Sequence, residues 1–194
     1  LLDYRQKVSA PIINDEDRYE TYRQPVHARY FFRRLMWASI LSGGHATYGG
    51  TRTFEPFDGD LKGVFGYFDA CRDGKLKEGA HDFNAIHKFF RDTGLTMVGM
   101  VPNDDCVGGD PCKWKCARSE DTWIVYLANP SGDTPEIDDA TETPATVRVA
   151  LSGGSYEARW YDPVEGSWVD ASPTADATYT SPFAGDAVLL VQTD

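Results

Sequence analysis

A carboxylate at the end of a short apolar strand is the feature of this chain with the most chemical potential. Pro11-Ile12-Ile13-Asn14-Asp15-Glu16 leads into Asp17-Arg18-Tyr19-Glu20. An ionised glutamate is a nucleophile or a proton acceptor, and a protonated one is an acid. In parallel α/β folds, active sites gather at the C-terminal ends of the strands. A second short apolar segment, His45-Ala46-Thr47-Tyr48-Gly49-Gly50, follows an amphipathic stretch. The order is therefore strand, helix, strand, with Glu16 where a parallel sheet does its chemistry. Asp15 and Asp17 read as turn or capping groups.

Two other clusters carry possible chemistry. The cysteines are Cys71, Cys106, Cys112 and Cys116, three of them within eleven residues. Four cysteines allow three pairings, and disulfides in an oxidising, extracellular setting are the expected use. Zinc is the rival use, but the paired C-x-x-C knuckles of a zinc ribbon are missing. The loop holding Asn103, Asp104, Asp105 and Asp110 offers hard oxygen ligands for Ca²⁺, without the ordered spacing of an EF-hand. A solvated acidic loop is the plainer reading.

The elements that position these residues follow from periodicity. Residues 8–16 are expected as a strand, with Ile12, Asn14 and Glu16 on one side and Pro11, Ile13 and Asp15 on the other. Residues 25–42 are expected as a helix, with Pro25 in its first turn and Gly43-Gly44 at its end. Tyr30, Phe31, Leu35, Ala38 and Ile40 supply its apolar surface, while Arg29, Arg33 and Arg34 mark a wetter face. Residues 45–50 form the next strand. The connection from Thr51 to Glu78 is rich in glycine and aromatics, as lids and binding loops are, or as a packed excursion would be. A helix over 80–91 carries Phe83, Ile86, Phe89 and Phe90 as a core stripe.

After Pro102 the texture changes to short alternating segments at 122–128, 145–151, 156–161, 168–169 and 187–191, separated by turns such as Ser152-Gly153-Gly154. That spacing predicts a small antiparallel β-sandwich. Trp160 and Trp168 are expected in its core or at a domain interface, and Trp37 in the core of the first helix. The organisation predicted is an α/β part over residues 1–105 and a β-sandwich over 106–194. The acidic stretch 133–143 reads as a polar loop.

Composition limits the partners. The formal net charge of -11 opposes binding to nucleic acid or to an anionic membrane surface. No apolar run approaches the roughly 20 residues that span a bilayer. The start, Leu1-Leu2-Asp3-Tyr4-Arg5, has neither an initiator Met nor a basic leader with a long apolar core. The sequence is therefore expected to be a processed or cut piece of a longer polypeptide.

The run 11–20, together with Arg33-Arg34-Leu35-Met36-Trp37-Ala38-Ser39-Ile40-Leu41-Ser42-Gly43-Gly44-His45-Ala46-Thr47-Tyr48-Gly49, resembles the C-terminal part of apiosidase-like glycoside hydrolases. The run Tyr156-Glu157-Ala158-Arg159-Trp160-Tyr161-Asp162-Pro163 to Gly166 is similar to the collagen-binding-type β-sandwich that follows their barrel. The likeness runs from about residue 8 to the end and does not account for the cysteine-bearing segment 103–116.

The resemblance implies a (β/α)8 TIM barrel, of which 8–16 is strand seven and 45–50 strand eight, followed by the sandwich. It places the family's nucleophile at Glu16 and its acid/base carboxylate on an earlier strand that this chain does not contain. Retaining glycosidases need two carboxyl groups about 5–5.5 Å apart, one attacking and one protonating the leaving oxygen. Asn14, Arg18, Tyr19, His45 and Tyr48 are the expected sugar contacts, and a polysaccharide or oligosaccharide is the expected substrate. The N-terminal barrel portion is the expected partner. No organic cofactor and no catalytic metal are implied, and the location expected is extracellular or at the cell surface. The alternative is a non-catalytic structural or carbohydrate-binding subunit on a hydrolase-derived scaffold. A small α/β protein unrelated to barrels is a third reading.

Overall fold

The computed structural model describes residues 1–15, 29–47, 78–110, 113–131 and 143–194. A short helix α1 (Leu2–Arg5), which periodicity did not predict, precedes strand β1 (Ile13–Asn14). Helix α2 (Arg29–Leu41) leads to strand β2 (His45–Ala46). Helix α3 covers Glu78–Thr93, slightly longer at both ends than predicted. Pro25, the 51–77 part of the aromatic connection and the 133–142 part of the acidic loop lie outside the described residues.

Gly43 and Gly44 end α2 as their sequence position predicts. Gly43 adopts φ +77°, and its N–H donates to the Ile40 carbonyl over 2.9 Å while the Gly44 N–H donates to Ser39 over 3.0 Å. This pair of bonds satisfies carbonyls that a helix end leaves orphaned. A Cβ at Gly43 would lie 2.7 Å from the Arg5 guanidinium, which donates to the Gly43 carbonyl. The turn delivers the chain directly into β2.

The rest is β structure: β3 (Val101–Pro102), β4 (Trp114–Arg118), β5 (Thr122–Leu127), β6 (Thr146–Arg148), β7 (Tyr156–Tyr161), β8 (Trp168–Asp170), β9 (Thr178–Thr180) and β10 (Ala187–Thr193). Six of them form an antiparallel sheet in the order β3-β4-β5-β10-β7-β8, and β6 pairs with β9. β3 lies ahead of residue 105 in the chain, yet pairs with β4 through Val101 opposite Arg118.

Period-two alternation gives the large sheet two apolar faces. Ile124, Tyr126, Val188, Leu190 and Tyr161 join one buried cluster with Trp37, Leu41, Ile86 and Phe89 of the helices. Trp123, Val125, Leu127, Leu189, Val191 and Trp160 join a second cluster with Val147 and Tyr179 of the small sheet. The stripe on α3 is core, as its spacing predicts, with Phe89 fully buried. Trp37 meets Phe89 edge-on at 5.3 Å and stacks on Tyr126 at 5.8 Å. Trp168 stacks on Phe89 at 5.3 Å, so this tryptophan seals helix to sheet, while Trp160 is core.

One sequence expectation is overturned here. Arg33 and Arg34 were expected on a wet face, and both are buried. They converge on Asp186 in the turn before β10. Arg33 Nε donates to Asp186 Oδ2 over 2.9 Å, and Arg34 Nη2 to Oδ1 over 3.2 Å. Arg33 also pairs with Asp82 at 3.3 Å, and Tyr126 donates to Asp186 Oδ2 over 2.8 Å. Buried charge survives where it is paired and hydrogen-bonded, and this network supplies both conditions.

Candidate functional site

The site predicted from sequence centres on the end of β1. β1 and β2 pair in parallel, with Ile13 opposite His45 and Asn14 opposite Ala46. The His45 N–H donates to Ile12 over 2.9 Å, and the Thr47 N–H donates to Asn14 over 3.0 Å. Parallel strands joined through a helix make a βαβ unit, in which both strands present their C-terminal ends at the same edge. Asp15 stands at that edge, and its Oδ1 accepts the Thr47 hydroxyl over 2.8 Å. This bond ties the two strand ends together, in keeping with a turn role for Asp15.

Register separates two of the expected sugar contacts. Residues paired across a parallel ladder point to the same side. Asn14 shares the helix-facing side with Ala46, which is buried in the cluster with α2, and is itself half-buried. His45 shares the side turned away from α2 with Ile13, which is 58% exposed, and is exposed too. Glu16, Arg18, Tyr19 and Tyr48 lie outside the described residues.

The cysteine expectation is corrected in part. Among the described residues there is no disulfide: Cys106 and Cys116 are buried free thiols. Their sulfurs lie 2.9 Å apart, against about 2.05 Å for an S–S bond. The hydrogen bond between them and burial push the Cys116 thiol far above its ordinary pKa, so it stays protonated. Cys71 and Cys112 lie outside the described residues.

The acidic loop folds as a 3₁₀ turn over Asp104–Cys106. Asp104 is engaged: Oδ1 accepts the Cys116 N–H over 2.9 Å, and Oδ2 pairs with Lys115. Among the described residues, no three His, Cys, Asp or Glu side chains are grouped as a metal site requires, and no helix is long and apolar enough to cross a membrane.

Sequence reasoning missed the Arg33–Arg34–Asp186 convergence. The signal available was weak: two adjacent arginines in a helix whose other residues are largely apolar.

Comparison with solved structures places this architecture. A protein described as a glycoside hydrolase superposes on the whole chain with a TM-score of 0.65 at 18% identity. A glycoside hydrolase family 5 protein from Bacteroides vulgatus superposes on 99% of it with a TM-score of 0.69 at 17% identity. The fold of this chain is shared with part of those glycoside hydrolases. The chain spans 45% of the first and 44% of the second. No protein-family model matches the chain, and no curated protein matches it.

Proposed function

We propose that this chain is the C-terminal portion of an extracellular or cell-surface glycoside hydrolase of the apiosidase-like type. In this reading residues 1–105 complete a (β/α)8 barrel, with β1 and β2 as its seventh and eighth strands. Residues 106–194 form the collagen-binding-type β-sandwich packed against it. The observation that carries the reading is the parallel pairing of β1 with β2. It sets Asp15, the residue before Glu16, at the C-terminal edge of the strands, the edge that bears the active site in TIM-barrel enzymes. The glycoside hydrolase folds shared over the whole chain support it. So does the exposure of Ile13, an apolar side chain on a strand paired on only one side among the described residues.

Glu16 is the attacking carboxylate in this proposal. It adds to the anomeric carbon as a carboxylic acid from the remainder of the barrel protonates the leaving oxygen. The glycosyl ester formed is then hydrolysed by water, with the partner now acting as base, and configuration is retained. Asn14 lies on the helix-facing side of β1 and braces the strand end that leads to Glu16. Arg18, Tyr19 and Tyr48 supply contacts around it, and His45 does so from the rim. The substrate is a polysaccharide or oligosaccharide, and no cofactor takes part.

The test is Glu16→Ala in the full-length enzyme. Turnover is expected to fall on the order of 10⁴-fold, the scale on which removing one member of a catalytic group acts. Added azide is expected to restore reaction through a glycosyl azide of inverted configuration. Unchanged turnover removes the assignment.

A further inference from the structure

A second site lies on the face of the large sheet that carries the small sheet. The 3₁₀ turn after β3, the chain leaving β6, the start of β7 and the approach to β9 enclose an open cleft of about 910 Å³. Ligand pockets usually measure roughly 300–1,000 Å³.

Its walls are joined by main-chain bonds: Ala150 N–H to the Cys106 carbonyl over 2.7 Å, and Val149 N–H to the Ala177 carbonyl over 3.0 Å. On one wall, Asp176 and Ala177 both hold left-handed backbone, φ 62° and 53°, without being glycine. They are kept there by the Thr174 N–H donating to Thr178 over 2.8 Å and by Arg148 Nε donating to the Asp176 carbonyl over 3.3 Å. Strained backbone of this kind persists only where its surroundings enforce it, and it concentrates at ligand sites.

The lining has a defined chemistry. Tyr156 is fixed from behind by Trp123, edge-on at 5.7 Å. It lies over Gly154, and its hydroxyl donates to the Ser152 carbonyl. A Cβ on neighbouring Gly153 would meet nothing within 4 Å, so the edge beside the ring is open. Arg148, Asp105 and Asp176 line the cleft and are exposed. The cleft therefore offers an aromatic ring together with both donors and acceptors. Two carboxylates against one guanidinium, in a chain of net charge -11, disfavour an anionic ligand. A hydroxyl-rich neutral ligand matches all of these features.

We propose that this cleft binds a segment of neutral polysaccharide, with a sugar packed on Tyr156 and its hydroxyls bonded to Arg148, Asp105 and Asp176. The choice of a sugar rests on the glycoside hydrolase reading above; the cleft itself does not. The test is calorimetric titration of the full-length protein with xylohexaose, cellohexaose and mannohexaose. At least one is expected to bind saturably, and Arg148→Ala is expected to weaken that binding by about tenfold to a hundredfold, as loss of a charged hydrogen bond does. Asp176→Gly, which relieves the backbone strain while removing an acceptor, is expected to weaken binding while raising the melting temperature. No saturable binding to any of the three sugars, or binding unchanged in both variants, overturns the proposal. Glu16→Gln separates the two readings: lost turnover with retained hexasaccharide binding supports both, and retained turnover removes the nucleophile without bearing on the cleft.

Discussion

At the scale of single residues, Asp186 is a carboxylate buried against two arginines. Burial alone would raise its pKa, but Arg33 and Arg34, with the Asn129 N–H at 3.0 Å, hold it below its ordinary value. A carboxylate whose folded pKa is depressed adds stability that is complete above its unfolded pKa, about 3.9. That stability is lost as pH falls through the folded value. Tyr126 acts at the other limit: burial and the Asp186 charge push its hydroxyl well up, so its contribution is lost only on the alkaline side. Thermal unfolding followed across pH is therefore expected to show a melting temperature that drops below about pH 4. Asp186→Asn is expected to flatten that acid limb and to destabilise the protein by about 3–5 kcal/mol, because the carboxylate on which two buried guanidinium groups converge loses its charge while Arg33 keeps Asp82. An acid limb of the same size in the variant would show that other carboxylates control it.

At the scale of elements, α3 and β5 show how one segment's periodicity becomes packing. Ile86 and Phe89 are a turn apart and enter the same cluster as Ile124 and Tyr126 from alternate positions of β5. Phe89 also contacts Tyr161 at 5.4 Å and Phe90 at 5.2 Å, so it is the hub of the helix–sheet seam. Phe89→Ala is expected to cost about 3–5 kcal/mol, the range for emptying a buried aromatic position. Chemical denaturation checks this, and a loss below about 1 kcal/mol would mean that the helix repacks over the gap. Among the described residues, the two strands of the βαβ unit are joined by a two-residue ladder and the Thr47–Asp15 bond. Its position depends on Ala46 and α2 being anchored in the core.

At the scale of the molecule, the six-stranded sheet is shared property. One face is covered by α2 and α3, the other by β6 and β9, so the two clusters meet back to back through β5 and β10. The two helices that cover the first face precede residue 105, and five of the six strands they cover follow it. A fragment beginning at Val101 is expected to expose Ile124, Tyr126, Val188 and Leu190 together, and to bind a hydrophobic dye and self-associate more strongly than the 194-residue chain. A monomeric, dye-silent fragment would show that the sandwich closes without the helices.

Much of this organisation was legible in the residues. The stripe on α3, the glycines that stop α2, the strands β5, β7 and β10, and the alternation that sets Ile13 and Asn14 on opposite sides each depend on one segment's own periodicity. The backbone imposes that periodicity locally. What the residues did not disclose depends on partners distant in the chain. β4 carries Lys115 and Arg118, which break an apolar pattern, and it is a strand because β3 and β5 flank it. Arg33 reads as a solvent-facing charge until Asp186, 153 positions away, comes within 2.9 Å. His45 and Asn14 sit in neighbouring strands, but only the register puts them on opposite sides. Periods of two and 3.6 residues belong to the chain itself. Which charge is buried, which strand has two neighbours and which face a side chain shares belong to the folded arrangement, because each is set by a partner that sequence distance does not reveal.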